Sequence, residues 1–272
     1  MILSPSEARV DRLQADDMPV GVFDSGIGGL SVLNALRAAL PHERFVYFAD
    51  TAHAPYGERS DAYVAERTCA VARQMMETHG IKALVVACNT ATAAAIHLLR
   101  AEHPGLPLVG LEPALKPAVA LSNTRRIAVF ATRGTVSSRK FQALHGALAG
   151  QADFRVVACD GLAGAIERND LGEISMLCAH YAAAAGEFGV EAGQIDTLVL
   201  GCTHYPFVSA ELRRHTGAAV RFIDTGEPVA QQTTRVLRAA GLLAAERVGT
   251  TSMTGSGDPA ALQAAARRWL AA

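Results

Sequence analysis

Short apolar runs without polar alternation recur along this chain, each followed by small or polar residues and then by apolar residues at helical spacing. Val20-Gly21-Val22-Phe23, Phe45-Val46-Tyr47-Phe48-Ala49 and Ala83-Leu84-Val85-Val86-Ala87 are the first three. Such runs, rich in β-branched and aromatic residues, predict strands buried on both faces, as in parallel sheets. Leu30, Val32, Leu33, Leu36 and Leu40 give a helix stopped by Pro41, and Ser60 or Asp61 heads a long helix to about Thr78. The third run ends at Cys88, and after Asn89 and Thr90 the pattern turns alanine-rich and helical through Leu99. Leu108-Val109-Gly110-Leu111 is one more short apolar run.

The series then restarts. Arg126–Ala131 with Thr132-Arg133-Gly134-Thr135 echoes the opening strand and turn, and Phe154–Cys159 is the next strand. A helix-like Leu162–Glu167 follows, then a long alanine-rich helix from about Glu173 to Phe188. Asp196-Thr197-Leu198-Val199-Leu200-Gly201-Cys202-Thr203-His204 repeats the strand-to-cysteine arrangement around Cys88. Arg221–Gly226 reads as a strand and turn, Glu227–Ala240 as a helix, and Thr250–Gly257 as a strand and turn, with Asp258 capping a closing helix through Trp269. Strands alternating with helices predict α/β architecture. The expected arrangement is two similar α/β domains with mainly parallel central sheets, pseudo-symmetric, with the active site in the cleft between them. The expected divisions are a disordered extension over 1–19, a first domain over 20–111 plus 220–272, and a second over 112–219.

Composition narrows the classes. The chain has 272 residues, 50% of them hydrophobic, enough for a sizeable core. A formal net charge of -1 and 6% aromatic residues give no footprint for nucleic acid or an anionic membrane. The five cysteines are odd in number and hold no Cys-x-x-Cys spacing, so reduced thiols and a cytoplasmic location are expected. Residues Met1–Pro19 lack the sustained apolar core of a secretory signal, and polar residues interrupt every apolar run before it could span a bilayer.

Cys88 and Cys202 each end a strand, where open α/β sheets hold their ligands, and each is followed by polar side chains. Core cysteines seldom have such sequels, since buried polar groups cost unless they are bonded; Cys69, Cys159 and Cys178 read as small buried hydrophobes. A helix start behind Cys88 would favour its thiolate. Zinc is not expected, because close-spaced ligand pairs are missing and alternate residues of an extended Cys202-x-His204 segment would point apart. Asp24-Ser25-Gly26 and Asp224-Thr225-Gly226 spell aspartic-protease turns but sit in an α/β pattern. The glycines of Ser25–Gly29 lack dinucleotide or phosphate-loop spacing, and more plausibly let backbone approach a ligand carboxylate. Lysine is scarce and absent from strand ends, against pyridoxal phosphate, and no cofactor is expected. His204 would tune or relay the proton of the neighbouring thiol, and Tyr56 could close over a substrate. Two thiols in equivalent settings suggest two acid/base groups facing one ligand, one removing a proton and the other delivering one, with inversion at carbon.

At these residues the chain resembles glutamate racemase, of the cofactor-independent aspartate/glutamate racemase superfamily. The matching motifs are Val22–Gly29, Asp50–Gly57, Ala87–Thr92 and Leu200–Pro206, with weaker matches at Glu112–Ala118 and Ala131–Thr135. The resemblance implies that Cys88 and Cys202 are the catalytic pair, that Asp24 and His204 assist them, and that Glu167 tunes the His204 side. It also implies a glutamate site lined by Asp24, Ser25, Tyr56, Gly57, Asn89, Thr90, Thr132, Thr135, Thr203 and His204. It further implies a homodimer and a role in supplying D-glutamate for peptidoglycan. The alternatives are a racemase of aspartate or another acidic amino acid, and a non-catalytic amino-acid-binding protein on the same scaffold.

Overall fold

Strands buried on both faces pair in parallel when helices return the chain over the sheet. The computed structural model, which describes residues 17–270, has this form throughout. In chain order the first half contributes β1 (Val20–Asp24), α1 (Leu30–Ala39), β2 (Arg44–Ala49), α2 (Asp61–His79), β3 (Ala83–Val86), α3 (Asn89–Glu102) and β4 (Leu108–Gly110). The second contributes α4 (Leu115–Leu121), β5 (Arg126–Ala131), α5 (Arg133–Ser137), α6 (Arg139–Gly146), β6 (Asp153–Ala158), α7 (Leu162–Arg168), α8 (Leu171–Ala185), β7 (Thr197–Leu200), α9 (Ser209–Thr216) and β8 (Arg221–Ile223). The chain closes with α10 (Gly226–Ala240), β9 (Thr250–Gly255) and α11 (Pro259–Trp269).

One sheet has the order β4-β3-β1-β2-β9 and the other β6-β5-β7-β8, and every pairing in both is parallel. Read from its other edge, the second order is β8-β7-β5-β6, which is the arrangement of β4-β3-β1-β2. The halves are thus pseudo-symmetric, with β1 matching β5 and β3 matching β7. Cys88 and Cys202 each stand two residues past the equivalent strand. Separate apolar clusters pack on the two faces of each sheet, and Phe207 is shared between clusters of the two halves.

The expected caps form: Ser60 Oγ accepts the Tyr63 N–H at the head of α2, and Asp258 accepts the Ala260 N–H at the head of α11. One expectation is corrected: residues from 220 onward are expected in the first unit, but Arg221–Ile223 pairs with Thr197–Val199 of β7. Phe222 and Ile223 pack on cores of the second half, so the return crossing falls after Ile223. Past Cys202, unlike past Cys88, the chain does not turn straight into a helix. A 3₁₀ turn with Pro206 at its start, Tyr205–Val208, intervenes before α9. The expected extension lies, over residues 1–16, outside the described residues. Among the described residues no helix is long and apolar enough to cross a membrane.

Candidate active site

The carboxyl ends of β1 and β3 in one half, and of β5 and β7 in the other, open on one narrow cleft. Ser25, Tyr56, Gly57, Cys88, Asn89 and Thr90 line it from the first half. Thr132, Thr135, Glu167, Cys202, Thr203 and His204 line it from the second. Asp24 is the one sequence-predicted residue not in the wall: it is wholly buried just behind it.

Asp24 ends β1 in a nest of donors. Its Oδ1 accepts from the Ser25 N–H at 2.6 Å and the Ser25 hydroxyl at 3.2 Å; its Oδ2 accepts from the Gly29 N–H and, at 3.2 Å, from the Thr203 hydroxyl of the other half. Burial still dominates and raises the Asp24 pKa above the usual carboxylate value; the charge of Glu167 adds to the rise, while His204 and the backbone donors oppose it.

Cys88 is the N-cap of α3, its Sγ accepting the Ala91 N–H at 3.4 Å. The helix start predicted behind it is present, yet the thiolate is not favoured. Burial, followed by the negative charge of Asp24, pushes the Cys88 thiol well above its usual value, and the Ala91 N–H and Ser25 hydroxyl only partly counter this. The protonated thiol faces the Ser25 hydroxyl at 3.7 Å, and that hydroxyl faces Asp24. The result is a path from thiol to hydroxyl to carboxylate.

Cys202 has a different supporting set. Its Sγ lies 3.6 Å from Nδ1 of His204, whose Nε2 is 2.6 Å from Glu167 Oε1. Because Cys202–His204 is turned rather than extended, the two side chains converge, contrary to the alternation expected from sequence. Burial works against a charged imidazole, but the bonds to Cys202 and Glu167 outweigh it and raise the His204 pKa well above its ordinary value. Among the described residues, no group of three or more His, Cys, Asp and Glu is disposed to hold a metal ion.

The glycine-rich turn after β1 has another use than the one expected. A Cβ on Gly26 would stand 1.8 Å from Glu167 Oε1, and one on Gly28 would stand 2.4 Å from His204 Nδ1. The Ile27 N–H donates to Glu167 Oε1 at 2.8 Å. These glycines therefore admit the glutamate and histidine of the opposite half, instead of a ligand carboxylate.

In the cleft wall, Asn89 leaves both its amide oxygen and nitrogen buried without a partner. A buried amide pays a desolvation cost when unbonded, so this one is disposed toward a ligand. Thr90, Thr132 and Thr135 form a hydroxyl cluster across the halves, with Oγ1 separations of 3.0–3.4 Å. Tyr56 lines the cleft with its hydroxyl already engaged. Its hydroxyl donates to Asp50 at 2.5 Å, and Arg67 holds the same carboxylate. Ala54, Pro55 and Ala163 also line the cleft and were missed, since nothing in an alanine or proline signals chemistry. Ser31 was missed too: its hydroxyl reaches across the halves to the Thr203 carbonyl at 2.8 Å.

The family model described as Asp/Glu/Hydantoin racemase matches residues 30–233, most of the chain. The chain belongs to this family. It is 46% identical over 246 residues to the glutamate racemase of Ralstonia pickettii, covering 90% of this chain and 86% of that protein. The crystal structure of the glutamate racemase isoform RacE1 of Bacillus anthracis superposes with a TM-score of 0.82 at 29% identity, covering 93% and 94% of the two chains. The Escherichia coli glutamate racemase, in complex with L-glutamate and the activator UDP-MurNAc-Ala, gives 0.79 at 28% identity, covering 93% and 95%. The enzyme is an isomerase, an amino-acid racemase, and its fold is the two-domain racemase fold of these relatives. What distinguishes its two thiols is their support: hydroxyl and buried carboxylate for Cys88, imidazole and carboxylate for Cys202.

Proposed function

We propose that this racemase interconverts L- and D-glutamate by proton transfer at Cα between Cys88 and Cys202. The observation that carries the reading is the pair of thiols at equivalent strand ends on one cleft, each backed by its own carboxylate. In one direction the Cα–H bond breaks and its proton passes to the sulfur of one cysteine as thiolate. The planar intermediate then takes a proton on its other face from the thiol of the second cysteine, whose S–H bond breaks. Configuration inverts, and the return reaction exchanges the roles. Cys88, protonated at rest, is ready to act as acid; to act as base it must lose its proton, for which Ser25 and Asp24 supply the route. His204 and Glu167 support the charge changes at Cys202. The unpartnered Asn89 amide and the Thr90 and Thr203 hydroxyls hold the substrate, stabilising the charge that develops on its carboxylate. The hydroxyls of Thr132 and Thr135, with Ser25, Tyr56 and Gly57, complete the walls.

The glutamate racemase relatives favour glutamate over aspartate. Supply of D-glutamate for peptidoglycan, cytoplasmic residence, homodimeric assembly and a division into two domains near residue 112 belong to the same reading. Circular dichroism of L-glutamate with purified enzyme, without added cofactor, should decay to zero signal. Persistence of the signal, with aspartate racemised instead, would move the substrate assignment to the alternative.

Glu167→Gln tests the second support. It should lower kcat roughly 10- to 100-fold, and it should also change the pH dependence of stability. A histidine whose folded pKa is raised adds stability that is fully present below its unfolded value of about 6.5 and is lost as pH rises through the folded value. The melting-temperature gap between wild type and Glu167→Gln is therefore expected to be widest at mildly acidic pH and to narrow toward alkaline pH. A gap that is constant with pH would refute the link between Glu167 and a charged His204.

A further inference from the structure

Tyr47 lies within β2, fully buried, and has no part in the scheme so far. Its hydroxyl donates to the Gly26 carbonyl at 2.7 Å. That carbonyl opens a turn through which both supporting carboxylates are held. The Ile27 N–H is bonded to Glu167, and the Gly29 N–H is bonded to Asp24. Gly28 lies against His204 and the Thr203 hydroxyl, and a Cβ on Gly29 would come within 2.9 Å of Tyr47 Oη. The head of α1 has no side-chain cap at Gly29. Besides the Ile27 and Gly29 N–H bonds, the turn is secured by side-chain hydroxyls at Gly26, through Tyr47, and at Gly28, through Ser31, which also bonds the Thr203 carbonyl.

We propose that Tyr47 is a positioning residue for the racemase: its hydroxyl fixes the Gly26–Gly29 turn, and through that turn it sets Glu167 and His204 beside Cys202 and Asp24 beside Ser25. The inference rests on the two-thiol reading. A buried hydroxyl merely satisfied by the nearest carbonyl would have the same geometry, so the test must read the acid/base groups themselves. Cys202 and Glu167 support His204 by hydrogen bonds and by charge, and Asp24 is coupled to it by charge. If the turn loosens when Tyr47 loses its hydroxyl, the Ile27 N–H no longer orients Glu167, and the imidazolium loses part of its support.

The experiment compares full-length wild type, Tyr47→Phe and Tyr181→Phe for kcat and KM with glutamate across neutral to alkaline pH. Tyr181 is the control, a buried tyrosine whose hydroxyl bonds the Asp160 carbonyl at 2.6 Å, outside the cleft lining. Tyr47→Phe is expected to move the alkaline limb of kcat about one pH unit toward acid and to lower kcat ~10-fold near neutrality, with KM changed less than about twofold. Tyr181→Phe should keep the wild-type limb. An unshifted limb in folded Tyr47→Phe overturns the inference; should that variant not fold, an unshifted limb in Ser31→Ala does so. A wild type inactive on glutamate overturns the functional reading itself, whereas an active wild type with unshifted variants overturns this inference alone.

Discussion

Cys88→Ala and Cys202→Ala should each abolish racemisation, lowering kcat by about 10³-fold or more, because each variant lacks the acid/base group on one face of Cα. The more diagnostic result is in the hydrogen exchange. A variant with one thiol can still remove and return a proton on its own side. In deuterated water it is expected to exchange the Cα hydrogen of one enantiomer without inverting it, and to leave the other enantiomer unlabelled. The two variants should label opposite enantiomers. Labelled, inverted product from either variant would show that one group serves both faces and would end the two-thiol scheme. The thiols are not equivalent in their surroundings, so the residual exchange rates should differ. Cys88 starts from a protonated thiol raised by burial and Asp24, and the variant relying on it should respond strongly to Ser25→Ala, which interrupts the path to Asp24. The variant relying on Cys202 should respond to Glu167→Gln instead.

The largest expected effect on stability lies far from the cleft. Lys82 and Glu43 form an ion pair at 2.7 Å with both side chains 1% exposed, at the start of β3 and β2 respectively. Glu43 Oε1 also accepts the Ala244 N–H at 2.8 Å, tying down the segment that leads to β9. Removing one member of such a pair strands the other charge in the interior, which costs about 3–5 kcal/mol. Lys82→Met is therefore expected to lower the melting temperature by roughly 6–20 °C for a chain of this size. Replacing both members with apolar residues of similar volume should cost much less than either single change, since no unpaired charge remains. Thermal melts of Lys82→Met, Glu43→Leu and the double variant give the comparison. A double variant as unstable as the sum of the singles would mean that the pair does not act as a unit.

Much of this architecture is written locally. Strands such as Ala83–Val86 and Thr197–Leu200 are legible because both their faces are apolar, and Ser60 and Asp258 mark helix starts because their side chains accept the first free N–H groups. The catalytic candidates are legible for a related reason. A cysteine followed by Asn-Thr or Thr-His at a strand end breaks the apolar pattern where a ligand is expected. Three matters were beyond local reading. The three residues of β8 are too few to announce which sheet they join, and only the β7 edge assigned them. Gly26 and Gly28 looked like glycines for a ligand, but the atoms they make room for belong to Glu167 and His204, well over a hundred residues along the chain. The state of Cys88 also went against expectation, because the helix start acts through one N–H whereas burial and Asp24 act through the whole surroundings of the sulfur.

By itself, then, the sequence determined the alternation of strands and helices, the two-fold repetition and the choice of Cys88 and Cys202 as candidates, since each depends on residues adjacent in the chain. Only the tertiary structure decided how each thiol is supported. Hydrogen bonds from Ile27 to Glu167 and from Thr203 to Asp24 join opposite halves, and desolvation depends on everything packed around a group and not on its neighbours in sequence.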